Sequence, residues 1–374
     1  MNDMQKRTWA EVSLGNIEHN YRQIKNCLPS GCRFLGIVKA DAYGHGAVEV
    51  AKHLEHCGAD YLAIACLDEA LELRNSGVKM PILILGHTPP EYVKLLLDND
   101  LTQTVSCEAK AAEYSEAAVR LGGTLRIHIK LDTGMSRLGY LCADTYFEDG
   151  VKNVVSTCRM PGLYAEGVYT HFAVSDRTDA ESMEFTKKQF ELFMRVLDAA
   201  EKEGARFEIR HCANSGALVN HPEMLLDMVR PGLLLYGYGD DGALGLKPAM
   251  RLVSTVSTIK YYEKGTSISY GRSFTADKRL RCGVVAAGYA DGIPWASAGK
   301  CSYFTENGFS KQLGNICMDM CMIDLNDRPE VAVGSEVEIF GENAPIEKLA
   351  KASGTIVYEL LCAVSKRVPR VYDV

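Results

Sequence analysis

Between Phe34 and about Tyr236, eight short apolar runs alternate with longer segments of helical character. The runs are FLGIVK, YLAIAC, PILILG, LTQTVS, LRIHIKL, GVYTHF, FEIRHC and LLDMVR. Between the sixth and seventh, Phe190, Phe193, Met194, Leu197 and Ala200 recur at steps of three and four, and Gly204 follows as a stop. Eight strand–helix units predict an α/β fold built on a parallel (β/α)8 barrel, which closes such a series without leaving a sheet edge. After GLLLYGYGDDGALGLKPAM the texture changes to β-branched, partly alternating stretches: RLVSTVSTIKYYEKGTSISYG, RCGVVAAGY, NICMDMCMIDL and SEVEIFG. A helix near Ile346–Ala352 and the stretch VYELLCAVS interrupt them. The expected organisation is a barrel over 12–242 followed by a mostly β domain over 243–374, joined by residues 1–11.

At 374 residues two domains are a fair expectation, and 47% hydrophobic residues supply a sizeable core. A net charge of −7 without any Lys/Arg block argues against a nucleic-acid partner. The 13 cysteines are scattered; Cys317 and Cys321 have no histidine or second pair to complete a metal set, so no metal is expected. The opening MNDMQKRTWAEV lacks the apolar core of a signal peptide, and no run approaches the ~20 apolar residues a spanning helix needs. The reading is a soluble, cytoplasmic protein with reduced thiols and no membrane partner.

Catalytic residues of a parallel barrel gather where strands end. Lys39 closes the first run, Lys130 and Arg137 flank the end of the fifth, and His171 closes the sixth. Asn214 and Ser215 follow the seventh, and Arg230 closes the eighth. An amine in the partly apolar mouth loses some basicity by desolvation and can attack a carbonyl to form a Schiff base. On position alone, a lysine snorkelling from the rim fits as well. The loops after strands seven and eight are the usual phosphate seat in such barrels, and Ser215, Gly216 and Gly232 stand there. Lysine plus phosphate seat points to pyridoxal 5'-phosphate.

Nine motifs then occur in one order: VKADAYGHG, IKLDTGMSRLG, GVYTHFA, CANSGA, MVRPG, SYGRSF, GYADGIP, GNICMDM and VYELL…SKRVPRVY. From about Trp9 to Tyr372 the chain resembles the pyridoxal-phosphate-dependent alanine racemases. The resemblance implies that Lys39 holds the cofactor and serves one face of the substrate α-carbon, while Tyr270 serves the other. It implies that Arg230 faces the pyridine nitrogen and that His171 links Arg230 towards the tyrosine. Tyr43, Ser215, Gly232, Leu233 and Tyr358 match the phosphate-holding positions, and Asn214 is grouped with them on the cofactor side. Arg137 and the Met318 backbone N–H match groups that receive the substrate carboxylate. Lys130 matches a lysine often carbamylated in relatives. In the family Tyr270 and Met318 reach into a partner's barrel, which implies a homodimer with shared sites and a role in supplying D-alanine for the cell wall.

Trp295 departs from the family, which usually carries arginine after ADGIP, and WASAGKCSYFTENGFSKQLG follows no family pattern. A serine or broad-specificity racemase of the same fold is the nearest rival, because an apolar pocket excludes an added hydroxyl by only about a hundredfold. Retention of Tyr358, where serine-selective relatives carry a smaller residue, favours alanine. A non-catalytic pyridoxal-phosphate carrier would lack Tyr270 and the β domain, and a decarboxylase would carry an acidic residue in place of Arg230.

Overall fold

A computed structural model describes residues 7–240 and 242–373; residues 1–6, Asp241 and Val374, which the sequence reading assigned to the domains, lie outside it. The chain packs as two compact units. Of the described residues, one unit runs from Ile17 to Lys247 except for Tyr43–Gly46; the other holds that tetrapeptide, 7–16 and 248–373. These units divide at 16/17 and 247/248, while the sequence reading expects domain boundaries at 11/12 and 242/243. The larger difference is Tyr43–Gly46, which leaves the first unit although it sits inside its sequence.

The first unit contains eight parallel strands at the expected runs: Arg33–Ile37, Tyr61–Ile64, Ile82–Ile84, Leu101–Val105, Leu125–Asp132, Leu163–Tyr169, Ile209–His211 and Met228–Val229. Each pairs with its sequence neighbour from the first through the seventh, and the eighth pairs back onto the first. An isolated parallel bridge, Asn214 to Arg230, and the bond from Arg230 N to Ala213 O (2.9 Å) bring the seventh and eighth together, so the ring is nearly closed. Helices between the strands cover the outside. The longest, Ala180–Lys202, is capped by Asp179, whose carboxylate accepts from Ser182 N at 3.0 Å. It ends where Gly204 takes φ +96 and Ala205 N returns to Ala200 O. Its buried face runs through Phe193, Val196, Leu197 and Ala200, but continues into Ser182, Thr186 and Gln189. Phe190 and Met194 are only partly buried, so the apolar stripe read from the sequence is shifted.

In the second unit the long strand Met250–Tyr262 is the organiser. Its first part pairs with Thr8–Ser13 and Glu336–Phe340, and its second part with Leu280–Val285, across a register shift between Val256 and Thr258. The sheet continues through Cys321–Asp324, Gly308–Leu313 and Ser302–Thr305 back to Glu336–Phe340, closing a ring, while Thr8–Ser13 also pairs in parallel with Arg370–Asp373. The unpatterned stretch after Trp295 is thus ordinary β structure: a short turn, Trp295–Ser297, and a hairpin pairing Phe304 with Phe309. Among the described residues, no helix is long and apolar enough to cross a membrane, and all thirteen cysteines are free.

Candidate active site

The first strand ends at Ile37, two residues before Lys39, and Lys39 opens a turn rather than closing the strand. In that turn Ala40, Asp41, Ala42 and Tyr43 all adopt left-handed φ between +50° and +55°. Each non-glycine residue there costs roughly 1–2 kcal/mol, so the conformation must be held by its surroundings. Glu69 holds it from the helix after the second strand, Leu67–Asn75: Oε1 accepts from Ala40 N and Oε2 from Ala65 N, both at 2.7 Å. Ala42 N returns to Val38 O at 2.9 Å, and Asp41 Oδ1 accepts from Ala47 N at 2.8 Å. Lys39 itself is half-buried.

The other cations of the barrel unit cluster on the same strand ends. Lys130 lies inside the fifth strand, buried, with Nζ 5.7 Å from the Tyr169 ring centre. Burial, with the Arg137 and Arg230 charges, lowers its ammonium to about 8. Asp132 turns the loop beyond by accepting from Gly134 N and Ser136 N, both at 3.0 Å, and Arg137 stands exposed on that loop. Arg230, 4% exposed, donates to Thr170 O (2.8 Å), Cys212 O (2.9 Å) and His211 Nδ1 (3.0 Å), and its Nη2, already serving the two carbonyls, lies 3.4 Å from His171 Nδ1. A guanidinium only donates, so His211 Nδ1 accepts and an N–H on His171 Nδ1 would face the guanidinium N–H groups; His171 carries its proton on Nε2. Burial, then the charges of Arg230, Lys130, Arg137 and Lys39, push His171 well below the usual histidine range; it is neutral. Gln189 supports this rim from its helix, accepting from Ala173 N at 3.0 Å and donating to His171 O at 3.3 Å.

Beyond strand seven, Asn214 caps the helix Ser215–Asn220, its Oδ1 accepting from Ala217 N (3.1 Å) and Ser175 Oγ (2.7 Å). Ser215 Oγ accepts from Gly232 N at 2.9 Å, so a hydroxyl and the Gly232–Leu233 turn converge on one point. Gly216 allows this approach, since a Cβ there would stand 2.5 Å from Asp176 N.

The β unit carries the remaining residues. Tyr43 is buried edge-to-face against Tyr358, ring centres 5.6 Å apart, and burial followed by the neighbouring phenol raises its pKa, so it remains a proton donor. Its loop is tied down by Arg370 Nε to Gly44 O (2.9 Å) and Tyr372 Oη to His45 O (3.1 Å). Tyr270 is 74% exposed, on a loop with left-handed φ at Ser269, Gly271 and Arg272. Asn315 Nδ2 donates to Tyr270 O at 2.9 Å and Ser269 Oγ donates to Asn315 O at 2.5 Å, which stitches that loop to the one bearing Met318. Met318 O accepts from Ala290 N at 3.0 Å, and Arg367 Nη1 bonds Asp319 at 2.9 Å. Buried Asp291 joins Arg367 Nε (2.9 Å) and Arg7 Nη1 (2.8 Å) behind the loop.

Glu69, Gln189, Asn315 and Asp291 were not singled out from the sequence; only their tertiary partners give them meaning. Among the described residues one group has metal-ligand chemistry, Glu18, His53 and Cys57. Its carboxylate is already engaged by Arg22 and lies 3.6 Å from His53 Nε2.

The family model described as alanine racemase, N-terminal domain, matches residues 12–240, and that of the C-terminal domain matches 249–372. The chain is 40% identical to a curated alanine racemase of Desulforamulus reducens, over 99% of this chain and 100% of that protein. It is 42% identical to alanine racemase 1 of Clostridium acetobutylicum, over 97% of this chain and 95% of the relative. Among solved structures, alanine racemase of Clostridium difficile superposes with TM-score 0.93 at 37% identity, covering 99% of this chain and 97% of that one.

Proposed function

The chain belongs to the alanine racemase family and is an isomerase interconverting L- and D-alanine, and we propose that it does so with pyridoxal 5'-phosphate held by Lys39, using Lys39 and Tyr270 on opposite faces of the α-carbon. The observation that carries this reading is the gathering of Lys39, Lys130, His171, Ser215 and Arg230 at one set of strand ends, around a buried guanidinium with three fixed acceptors. When bound, the cofactor supplies the electron sink that makes the α-proton acidic.

The residues fit that group. Ser215 and the Gly232–Leu233 turn, with Asn214 fixing the loop, offer a neutral donor set suited to a phosphate, and we assign the Tyr43 and Tyr358 phenols, which pack on each other in the β unit, to the same group by the family resemblance. Arg230 donates and keeps its own proton, so it leaves the pyridine nitrogen unprotonated and limits how far charge drains from the α-carbon. His171 presents Nε2–H towards the tyrosine oxygen, favouring the phenolate that removes the α-proton. Arg137 and the Met318 amide receive the substrate carboxylate. An ammonium lowered to about 8 leaves part of Lys130 neutral and able to add carbon dioxide; the resulting carbamate would pair with Arg137.

Tyr270 (74%) and Met318 (52%) are too exposed for the roles given them in an isolated chain, and Trp295 (59%), between them in sequence, is exposed as well. We assign them to the neighbouring barrel of a homodimer. Free thiols throughout suit a reducing cytoplasm. The test is D-enantiomer formation from L-alanine and L-serine with added pyridoxal phosphate, followed by borohydride reduction and peptide mapping. Alanine turnover with the adduct on Lys39 is expected; an adduct on another lysine, or faster serine turnover, would overturn the reading.

A further inference from the structure

The mechanism above leaves unused a file of buried polar groups along the barrel axis. From His211, which accepts the Arg230 guanidinium, Nε2 lies 2.9 Å from His128 Nδ1, and His128 Nε2 lies 3.0 Å from Glu166 Oε2. Both imidazoles are fully buried. Tyr61 Oη donates to the same Glu166 oxygen at 2.5 Å, and Arg126 Nε stands 3.5 Å from the other. Arg126 is the second residue of its strand, whereas Arg230 follows the end of its own. The file thus runs from the strand-end mouth towards the strand-start face.

Its hydrogen bonds can point only one way. Arg230 donates, so His211 Nδ1 accepts and the His211 proton sits on Nε2. That proton is given to His128 Nδ1, which places the His128 proton on Nε2, where the Glu166 carboxylate takes it. Burial pushes both histidines below their usual range; Glu166 offsets this in part at His128, and the Arg230 charge adds to it at both, so charging does not relieve the constraint. Glu166 stays ionised: burial raises it, but bonds from His128 and Tyr61 bring it below the usual carboxylate value. Room for the file is built in, because a Cβ on Gly167 would lie 2.7 Å from three atoms of the His128 ring. The Tyr169 ring stacks on His211 at 4.7 Å and 14°.

We propose that Glu166, His128 and His211 are positioning residues: a one-way hydrogen-bond relay in which the Glu166 carboxylate sets both imidazole tautomers and so makes His211 Nδ1 a permanent acceptor that orients Arg230. Without that carboxylate His128 can turn its proton to Nδ1, His211 follows, and the guanidinium faces an N–H. The consequence for the reaction rests on the reading that Arg230 faces the pyridine nitrogen.

The experiment is nitrogen NMR of histidine-labelled holoenzyme for the wild type, Glu166→Leu and Glu166→Gln, with pyruvate release per racemisation measured on the same samples. Pyruvate reports abortive turnovers that leave the amino group on the cofactor. The wild type is expected to show Nε2–H at both histidines. Glu166→Leu should mix the tautomers and raise the pyruvate ratio roughly tenfold, as for loss of one hydrogen bond to a charged group; Glu166→Gln, which keeps an acceptor oxygen, should restore most of both. A merely structural role would lower stability without moving the tautomers or the ratio. Nδ1–H at either histidine of the wild type overturns the relay, and this needs no variant to fold. Mixed tautomers with an unchanged ratio would instead overturn the placement of Arg230 at the pyridine nitrogen.

Discussion

Replacing Gly288 with alanine probes the loop assigned to the substrate carboxylate without changing any residue of that loop. Gly288 has φ −145 and ψ −164, an extended conformation alanine adopts freely, so backbone strain is not the issue. Contact is. The added Cβ would stand 2.3 Å from Cys317 O and 2.4 Å from Met318 O. Carbon and carbonyl oxygen normally approach to about 3.3 Å, so the two loop segments must part by about 1 Å. The bonds that fix Met318, Tyr289 N to Cys317 O and Ala290 N to Met318 O, both 3.0 Å, stretch with them. Overpacking of this kind costs about 1–3 kcal/mol, and a 1 Å misplacement of a binding group can cost about a hundredfold in rate. Denaturant unfolding and steady-state kinetics on the holoenzyme dimer should therefore show a lower midpoint and a kcat/KM loss carried mainly by KM for alanine. A folded variant, destabilised as expected but with unchanged KM, would refute the role given to Met318. Unchanged stability would refute the contact itself.

Tyr270→Phe should keep cofactor binding while lowering racemisation about 10²–10⁴-fold, with α-proton exchange surviving for one enantiomer only; equal loss for both would contradict its one-sided role. Lys130→Met should lose any carbamate signal seen after labelled carbon dioxide is added and should raise KM, whereas an unchanged KM would remove Lys130 from the orientation of Arg137. Asp291→Asn should cost about 2–3 kcal/mol at neutral pH, since Arg7 and Arg367 lose a fully buried partner but keep some solvent. Burial raises the Asp291 pKa, yet the two arginines and Gly288 N bring it below the usual carboxylate value. Its stabilisation is thus complete above that value and falls away as pH drops through the folded pKa, and the variant's acid limb should be shallower by that amount.

The eight barrel strands were legible because each is a short apolar run with a helix after it, and that pattern is local. The arrangement of side chains around Lys39 was not. Nothing in ADAY announces four successive left-handed residues; the conformation depends on Glu69 from the helix after the second strand and on Asp41 reaching forward to Ala47 N. Gln189 was invisible for a related reason: a polar residue in an apolar stripe reads as a break until its bonds to His171 O and Ala173 N are seen. The hairpin after Trp295 turns at Glu306–Asn307, with Glu306 at φ +37 and Gly308 already paired with Thr305, one residue away from where an Asn-Gly turn would place it, so its register was not legible from the sequence. The relay from Glu166 to Arg230 lies between these cases. Its histidines are plain in the runs LRIHIKL and FEIRHC, but only the closed ring brings them within 2.9 Å.

The central claim is that each site takes Lys39 from one chain and Tyr270 from the other. Mixing Lys39→Ala and Tyr270→Phe subunits, each inactive alone, tests it most directly. Random reassortment makes half the dimers mixed, each with one intact site, so activity should recover to about a quarter of the wild-type value per subunit. No recovery, with mixed dimers demonstrated by differential tagging, would place both residues in the same chain's site and contradict the account.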